Sequence, residues 1–271
     1  MAFQSREVLP GIYHIQDCMG VCMTLLCGEK RALLVDTGYG LENVRSYVES
    51  LTDKPVDVML THGHHDHALG ARWFYSVSIL KADFPVYDTY TSEKWRRHVL
   101  AGAREKGIGT DESAYLASLM PAPSALKEGE ADLGGLTARL IACPGHTPGS
   151  AAVYVPERSL LLTGDDWNPC TWLFFPEALS AQDYRRNVRR LLSLPFDSVL
   201  CSHQPRLFDR TYLDSFMQSL TGGCLEKARR VDTGSSMGIR TAEAQLPMGQ
   251  VLVFDRDKFE QRKAEGMTKD D

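Results

Sequence analysis

The chain has 271 residues, 43% hydrophobic and 24% charged, and a formal net charge of −5, enough apolar material for one sizeable domain or two modest ones. The acidic balance argues against a nucleic-acid groove as the main business, and no apolar run approaches the roughly 18 residues of a bilayer span. MAFQSREVLP has no apolar signal core, so the expectation is a cytoplasmic protein whose seven cysteines, with no C-x-x-C pair, are reduced and mostly buried.

In chain order, GIYHIQ (11–16), VCMTLLC (21–27) and RALLVD (31–36) read as short strands, with a hairpin turn at 28–30. After Asp36, the spacing of Leu41, Val44, Val48 and Leu51 predicts a helix. Pro55 breaks it, and VDVML (56–60) reads as a buried strand delivering His62. Residues 88–130 form a polar insertion of one or two helices, expected to lie over the mouth of a site and set specificity. Strands are predicted again over 136–143, 150–155 and 159–165, followed by a Ser-capped helix over 180–194 with Tyr184, Val188, Leu191 and Leu192 inward. Arg185, Arg186, Arg189 and Arg190 are then its solvated face. Pro195 ends the helix, and 196–202 is a strand delivering His203. A further helix from residue 210 is interrupted or ended at Gly222-Gly223, GQVLVFD (249–255) is a last strand, and 257–271 is a charged, fraying tail. The expected organisation is one domain over 1–256 plus that tail.

The two halves repeat each other. KPVDVMLTH (54–62) parallels LPFDSVLCSH (194–203), and LLVDTG (33–38) parallels LLTGDD (161–166). Strands, Asp, helix, strand and His, twice over, imply that equivalent strand ends converge at one rim.

THGHHDHALG (61–70) places four of the eight histidines within six positions. His62 and His64, two apart in an extended loop, project to one side and can share an ion, while Asp66 and His67 can turn toward a second one. His65 should face away, as a rim residue. His146, in the tight CPGHTPGS turn, Asp165, ending SLLLTGD, and His203 complete the set. Imidazole and carboxylate suit Zn, Fe or Mn.

H-x-H-x-D-H, P-G-H-T-P-G-S, L-L-T-G-D and a strand-end His, preceded by L-L-V-D-T-G, resemble the metallo-β-lactamase superfamily over roughly residues 11–203, on its glyoxalase-II and lactonase side rather than among true β-lactamases. The resemblance implies an α/β fold: a four-layer αβ/βα sandwich of two mixed sheets flanked by helices. Carried over, it gives His62, His64 and His146 to a first metal and Asp66, His67 and His203 to a second, with Asp165 bridging. Asp36 fixes loop geometry without ligating. The implied enzyme is a hydrolase with two divalent ions, Zn first and Fe or Mn as alternatives. Its metal-bridging hydroxide, at a water pKa lowered from 15.7 to about 7, attacks a thioester, lactone or ester carbonyl, and Asp66 takes or relays the proton. A mononuclear iron sulfur dioxygenase of the same fold and a phosphodiesterase are the alternatives. In DDWNPCTWLFFPEAL (165–179), Trp167, Trp172, Phe174 and Phe175 are expected to line the mouth and hold an acyl or aromatic group; a dimer contact or a buried loop is the other reading of that stretch. A small-molecule substrate is expected, without nucleic acid or membrane partners, and a homodimer stays open. The region after His203 does not resemble a full glutathione-binding helical domain.

Overall fold

Two strand–helix–strand units organise the computed structural model, which describes residues 3–234 and 238–265. In the first, strands Ala32–Val35 and Val56–Met59 pair in parallel, Val35 opposite Met59. A parallel pair needs a crossover, here helix Val44–Leu51, whose Asn43 cap accepts the Ser46 N–H. In the second, Leu160–Leu162 and Ser198–Leu200 pair in parallel across helix Ala181–Arg189, capped by Ser180. An antiparallel neighbour precedes each unit, Cys22–Cys27 in one and Ala151–Val155 in the other. The repeat read from the sequence is therefore present in the topology.

The first unit lies in a seven-stranded sheet running from Gln4–Leu9 to Ser124–Leu126, and the second in a six-stranded sheet from Phe208–Asp209 to Gly129–Asp132. Strand side chains alternate between faces, so Leu33 and Val35 pack against Val153, Val155 and Leu162 of the other sheet. Ala32 and Leu34 point outward to Val44 and Val48 of the first helix. On the far side Ala152, Leu161 and Val199 meet Tyr184, Val188 and Phe216. Helix, sheet, sheet and helix make the four expected layers.

Several expectations change. A third, four-stranded sheet joins Cys170–Leu173, Gln250–Asp255, Thr241–Leu246 and Arg229–Arg230. Its Leu173, Ala244, Leu252 and Phe254 belong to the outer core of the second half. The helical part of the insertion comprises Phe84–Tyr90, Glu93–Glu105 and Glu112–Ala117. Residues Ser124–Leu126 and Gly129–Asp132 are edge strands instead, pairing with Ser78–Leu80 and Thr137–Ala142. The helix from residue 210 ends at Ser219, and Gly222 opens the next one behind its Thr221 cap. Arg185 is buried rather than solvated.

The tail expectation also fails in part. Residues Arg256–Ala264 form a helix, because Phe259 is buried under it and Arg262 and Lys263 pair with Asp183 and Glu226. The rest of that tail, from 266, lies outside the described residues. Among the described residues no helix is long and apolar enough to cross a membrane.

Candidate metal centre

The strand ends deliver their polar residues to one rim. His62, His64 and His146 present one nitrogen each, and Asp66, His67, Asp165 and His203 one donor atom each; within each group the donors lie within 4.8 Å of one another. In the first group His62 Nε2 is 3.2 Å and His146 Nε2 2.9 Å from His64 Nδ1. In the second, Asp165 Oδ2 is 2.9 Å from His203 Nε2 and 3.5 Å from His67 Nε2. The same oxygen is 3.6 Å from His146 Nε2, so Asp165 stands between the groups. All seven expected residues converge.

Four of the five rings are fixed through the nitrogen facing away from the cluster. His62 Nδ1 donates to the Thr61 hydroxyl (3.1 Å), which itself donates to Asp36 Oδ2 at 2.9 Å. His67 Nδ1 donates to the same Asp36 oxygen at 3.0 Å. His146 Nδ1 donates to the Trp172 carbonyl at 2.7 Å, and His64 Nε2 to Glu177 Oε1 at 2.5 Å. Each bond turns the other ring nitrogen toward the cluster, which is how outer partners orient metal-binding histidines. Asp36 thus holds one ring directly and another through Thr61. It does so from a left-handed backbone, φ 66°, which aspartate tolerates better than most residues.

Asp83, which no sequence pattern marked, ties the ligand loops together. Its carboxylate accepts the N–H groups of Gly63 and Gly149, each at 2.7 Å. Position 63 must be glycine, because a Cβ there would lie 2.4 Å from the Tyr87 backbone nitrogen.

The electrostatics differ between the groups. Burial and neighbouring imidazoles lower His62 and bring His146 down to about 4, keeping both rings as neutral donors. Burial alone would lower His67 too, but Asp66, Asp165 and Asp36 outweigh it and raise the ring. Burial would raise Asp66 and Asp165, yet adjacent His67 and His203 hold both carboxyls well below their ordinary range. Two buried atoms at the centre, His67 Nε2 and Asp165 Oδ1, have no hydrogen-bond partner. Stranded donors and acceptors are costly, and imidazoles together with ionised carboxylates form the mixed N/O set that divalent cations take. The donor set of each group fits a divalent cation.

Above the cluster lies a cavity of about 530 Å³. Tyr90 and Trp95 of the insertion form one wall, and Trp172 and Phe175 the other. His64 sits between them, its ring centroid 4.5 Å from Tyr90 and 4.7 Å from Phe175. His65 faces away from the cluster into the first wall, 4.9 Å from Trp95, as a rim residue. Tyr39, His98 and Cys170 also line the cavity, and nothing in the sequence singled them out.

Two expected lining residues are elsewhere. Trp167 is fully buried, with its indole N–H on Gln250 Oε1 at 3.0 Å, and Phe174 is buried as well. Both lie outside strand Cys170–Leu173, on which Cys170 and Trp172 face the cavity; Trp167 packs instead edge-on against Phe208, ring centroids 5.3 Å apart, in the outer core of the second half. A Trp167→Phe variant should therefore lose about 1–2 kcal/mol of stability, from the stranded Gln250 oxygen, with KM unchanged. Trp172→Ala should do the reverse. Thermal melting and steady-state kinetics on both variants separate the roles, and a KM change in Trp167→Phe with intact stability would overturn the assignment.

Residues 17–203 match the family described as the Metallo-beta-lactamase superfamily. The chain belongs to that superfamily. Among curated relatives, the acyl-coenzyme A thioesterase MBLAC2 of Gallus gallus is 26% identical over 215 residues, 71% of this chain and 76% of that one. The probable metallo-hydrolase YqgX of Bacillus subtilis is 29% identical over 147 residues, 52% of this chain and 63% of the relative. A hydroxyacylglutathione hydrolase of Cereibacter sphaeroides is 30% identical over 148 residues, 54% of this chain and 46% of the relative. The chain thus spans under two thirds of the last two. The names are those of hydrolases, in keeping with the expected metal-dependent hydrolase. By fold it resembles a metallo-beta-lactamase from Pontibacter korlensis, with TM-score 0.57 and 18% identity over 80% of this chain and 98% of that one. It also resembles the sec-alkylsulfatase Pisa1 from Pseudomonas sp., with TM-score 0.62 and 17% identity over 80% and 41%. The superfamily sandwich is the fold of this chain.

Proposed function

We propose that the protein is a dinuclear metal-dependent hydrolase of thioesters with a bulky apolar acyl group. One observation carries the reading: a single carboxylate oxygen, Asp165 Oδ2, faces His203 and His67 on one side and His146 on the other. That placement supports two ions sharing one ligand. His62, His64 and His146 would hold the first, Asp66, His67 and His203 the second, and Asp165 both; Zn is the first choice and Fe or Mn the alternatives. Such a pair supplies a water ionised near neutral pH and positive charge for an oxyanion.

The chain's own residues do the rest. As the water oxygen bonds to the carbonyl carbon, the Asp66 carboxylate, an acceptor in its ionised form, orients that water and relays its proton. The carbon–sulfur bond then breaks and the thiolate leaves toward solvent. Tyr90, Trp95, Trp172 and Phe175 grip the acyl group and exclude water around the carbonyl. The names of the thioesterase and hydroxyacylglutathione hydrolase relatives support a thioester over a lactone or another ester.

Protein loaded with Zn should bind two ions per chain by elemental analysis and hydrolyse aromatic or branched acyl thioesters faster than lactones, simple esters or phosphodiesters. A single Fe per chain with thiol-dependent oxygen uptake would overturn the reading.

A further inference from the structure

Glu177 and Lys258 carry the inference furthest, and neither belongs to a ligand motif. Glu177 lies in the loop after strand Cys170–Leu173, and its carboxylate accepts from His64 Nε2 at 2.5 Å. The Tyr90 ring packs against the His64 ring, centroids 4.5 Å apart. An ionised carboxylate can only accept, so it keeps the proton on Nε2 and the lone pair on Nδ1, the nitrogen that faces His62 and His146.

The loop carrying Glu177 is itself held from a distant part of the chain. Lys258, on helix Arg256–Ala264, donates from Nζ to the carbonyls of Phe175 at 3.2 Å, Pro176 at 2.7 Å and Ala178 at 2.6 Å. These carbonyls bracket Glu177. An ammonium has three donors and no acceptor, so all three are spent on one turn of backbone, and its stem is packed into a half-buried site. The helix lies beyond residues 17–203, the part matched by the family.

We propose that Glu177 is the positioning residue of His64 and that Lys258 sets Glu177, so that the C-terminal helix governs how tightly the three-histidine group holds an ion. This rests on the metal-site reading above. Removing an outer partner of a ligating histidine typically costs about 10–100-fold in metal affinity.

The test uses the full chain, stripped of metal and titrated with Zn²⁺ against a chromophoric chelator. Glu177→Gln keeps the shape but removes the charge, and should weaken one of two ions by about 10–100-fold. Lys258→Met should weaken the same ion less, and add nothing in the Glu177→Gln background, because it acts through that residue. Lys258→Arg should recover most of the affinity. Melting of the metal-free variants separates binding from folding, and should Lys258→Met fail to fold, Glu177→Gln and Lys258→Arg still decide. Unchanged affinity in Glu177→Gln, or an equal loss from Lys258→Met in both backgrounds, overturns the inference. A wild-type chain that binds no Zn²⁺ overturns instead the site reading beneath it.

Discussion

An Asp165→Asn variant is expected to lose hydrolysis by on the order of 10³-fold, the scale on which one preorganised charge-stabilising group acts, and to hold fewer ions while staying folded. The substitution keeps the shape of the side chain but replaces a shared anionic oxygen by a neutral amide, facing His203 at 2.9 Å and His67 at 3.5 Å. Whichever way that amide is turned, the net negative charge between the groups is gone. The fold should tolerate this, because Oδ1 makes no hydrogen bond to lose and an amide oxygen in place of Oδ2 can still accept from His203. Elemental analysis and melting curves with and without Zn²⁺ check it independently of activity. Ligand at 100 times its Kd stabilises a protein by about 2.7 kcal/mol, and the variant should lose most of that increment. Equal metal content and turnover in wild type and variant would remove Asp165 from the centre.

The seven convergent residues were legible because each sits beside a local signal: a histidine cluster, a Gly/Pro-bracketed turn or a strand end repeated in both halves. Asp36 was legible for the same reason. What escaped acts across sequence. Glu177 reaches His64 over 113 positions and Lys258 reaches Ala178 over 80, and no periodicity encodes such pairs. Asp83 is the instructive case. It precedes helix Phe84–Tyr90, yet it makes no cap hydrogen bond and spends both oxygens on loops 20 and 66 residues away. The aromatic run after Asp165 misled for a different reason: it looks like one patch in sequence, but Trp167 is claimed by Phe208 and Gln250 in the core while Trp172 and Phe175 line the cavity. The charged C-terminal segment misled because composition reports solvation, whereas one buried phenylalanine and a few ion pairs decide docking.

Replacing that aspartate tests whether the loops depend on it. Asp83→Ala should destabilise the protein by about 3 kcal/mol, since two buried backbone N–H groups lose their acceptor at about 1–3 kcal/mol each, which lowers Tm by roughly 6–12 °C for a chain of this size. A counter-effect exists: burial raises the Asp83 carboxyl, with Thr147, Gly63 and Gly149 hydrogen bonds pulling the other way, so its removal also relieves a desolvation cost. The stranded donors win, because the side chain is fully buried and both N–H groups lose a charged acceptor. The metal centre should suffer as well, for Asp83 joins the loop of His62 and His64 to the turn of His146. Without it, the loop of His62 and His64 and the turn of His146 lose the carboxylate that fixes one against the other, and the ion of the three-histidine group should bind about 10–100-fold more weakly. Asp83→Asn keeps one acceptor and turns an NH₂ toward the other N–H, so it should fall between wild type and alanine on both measures. An alanine variant that melts with wild type and binds Zn²⁺ as tightly would mean that the two loops reach their geometry independently.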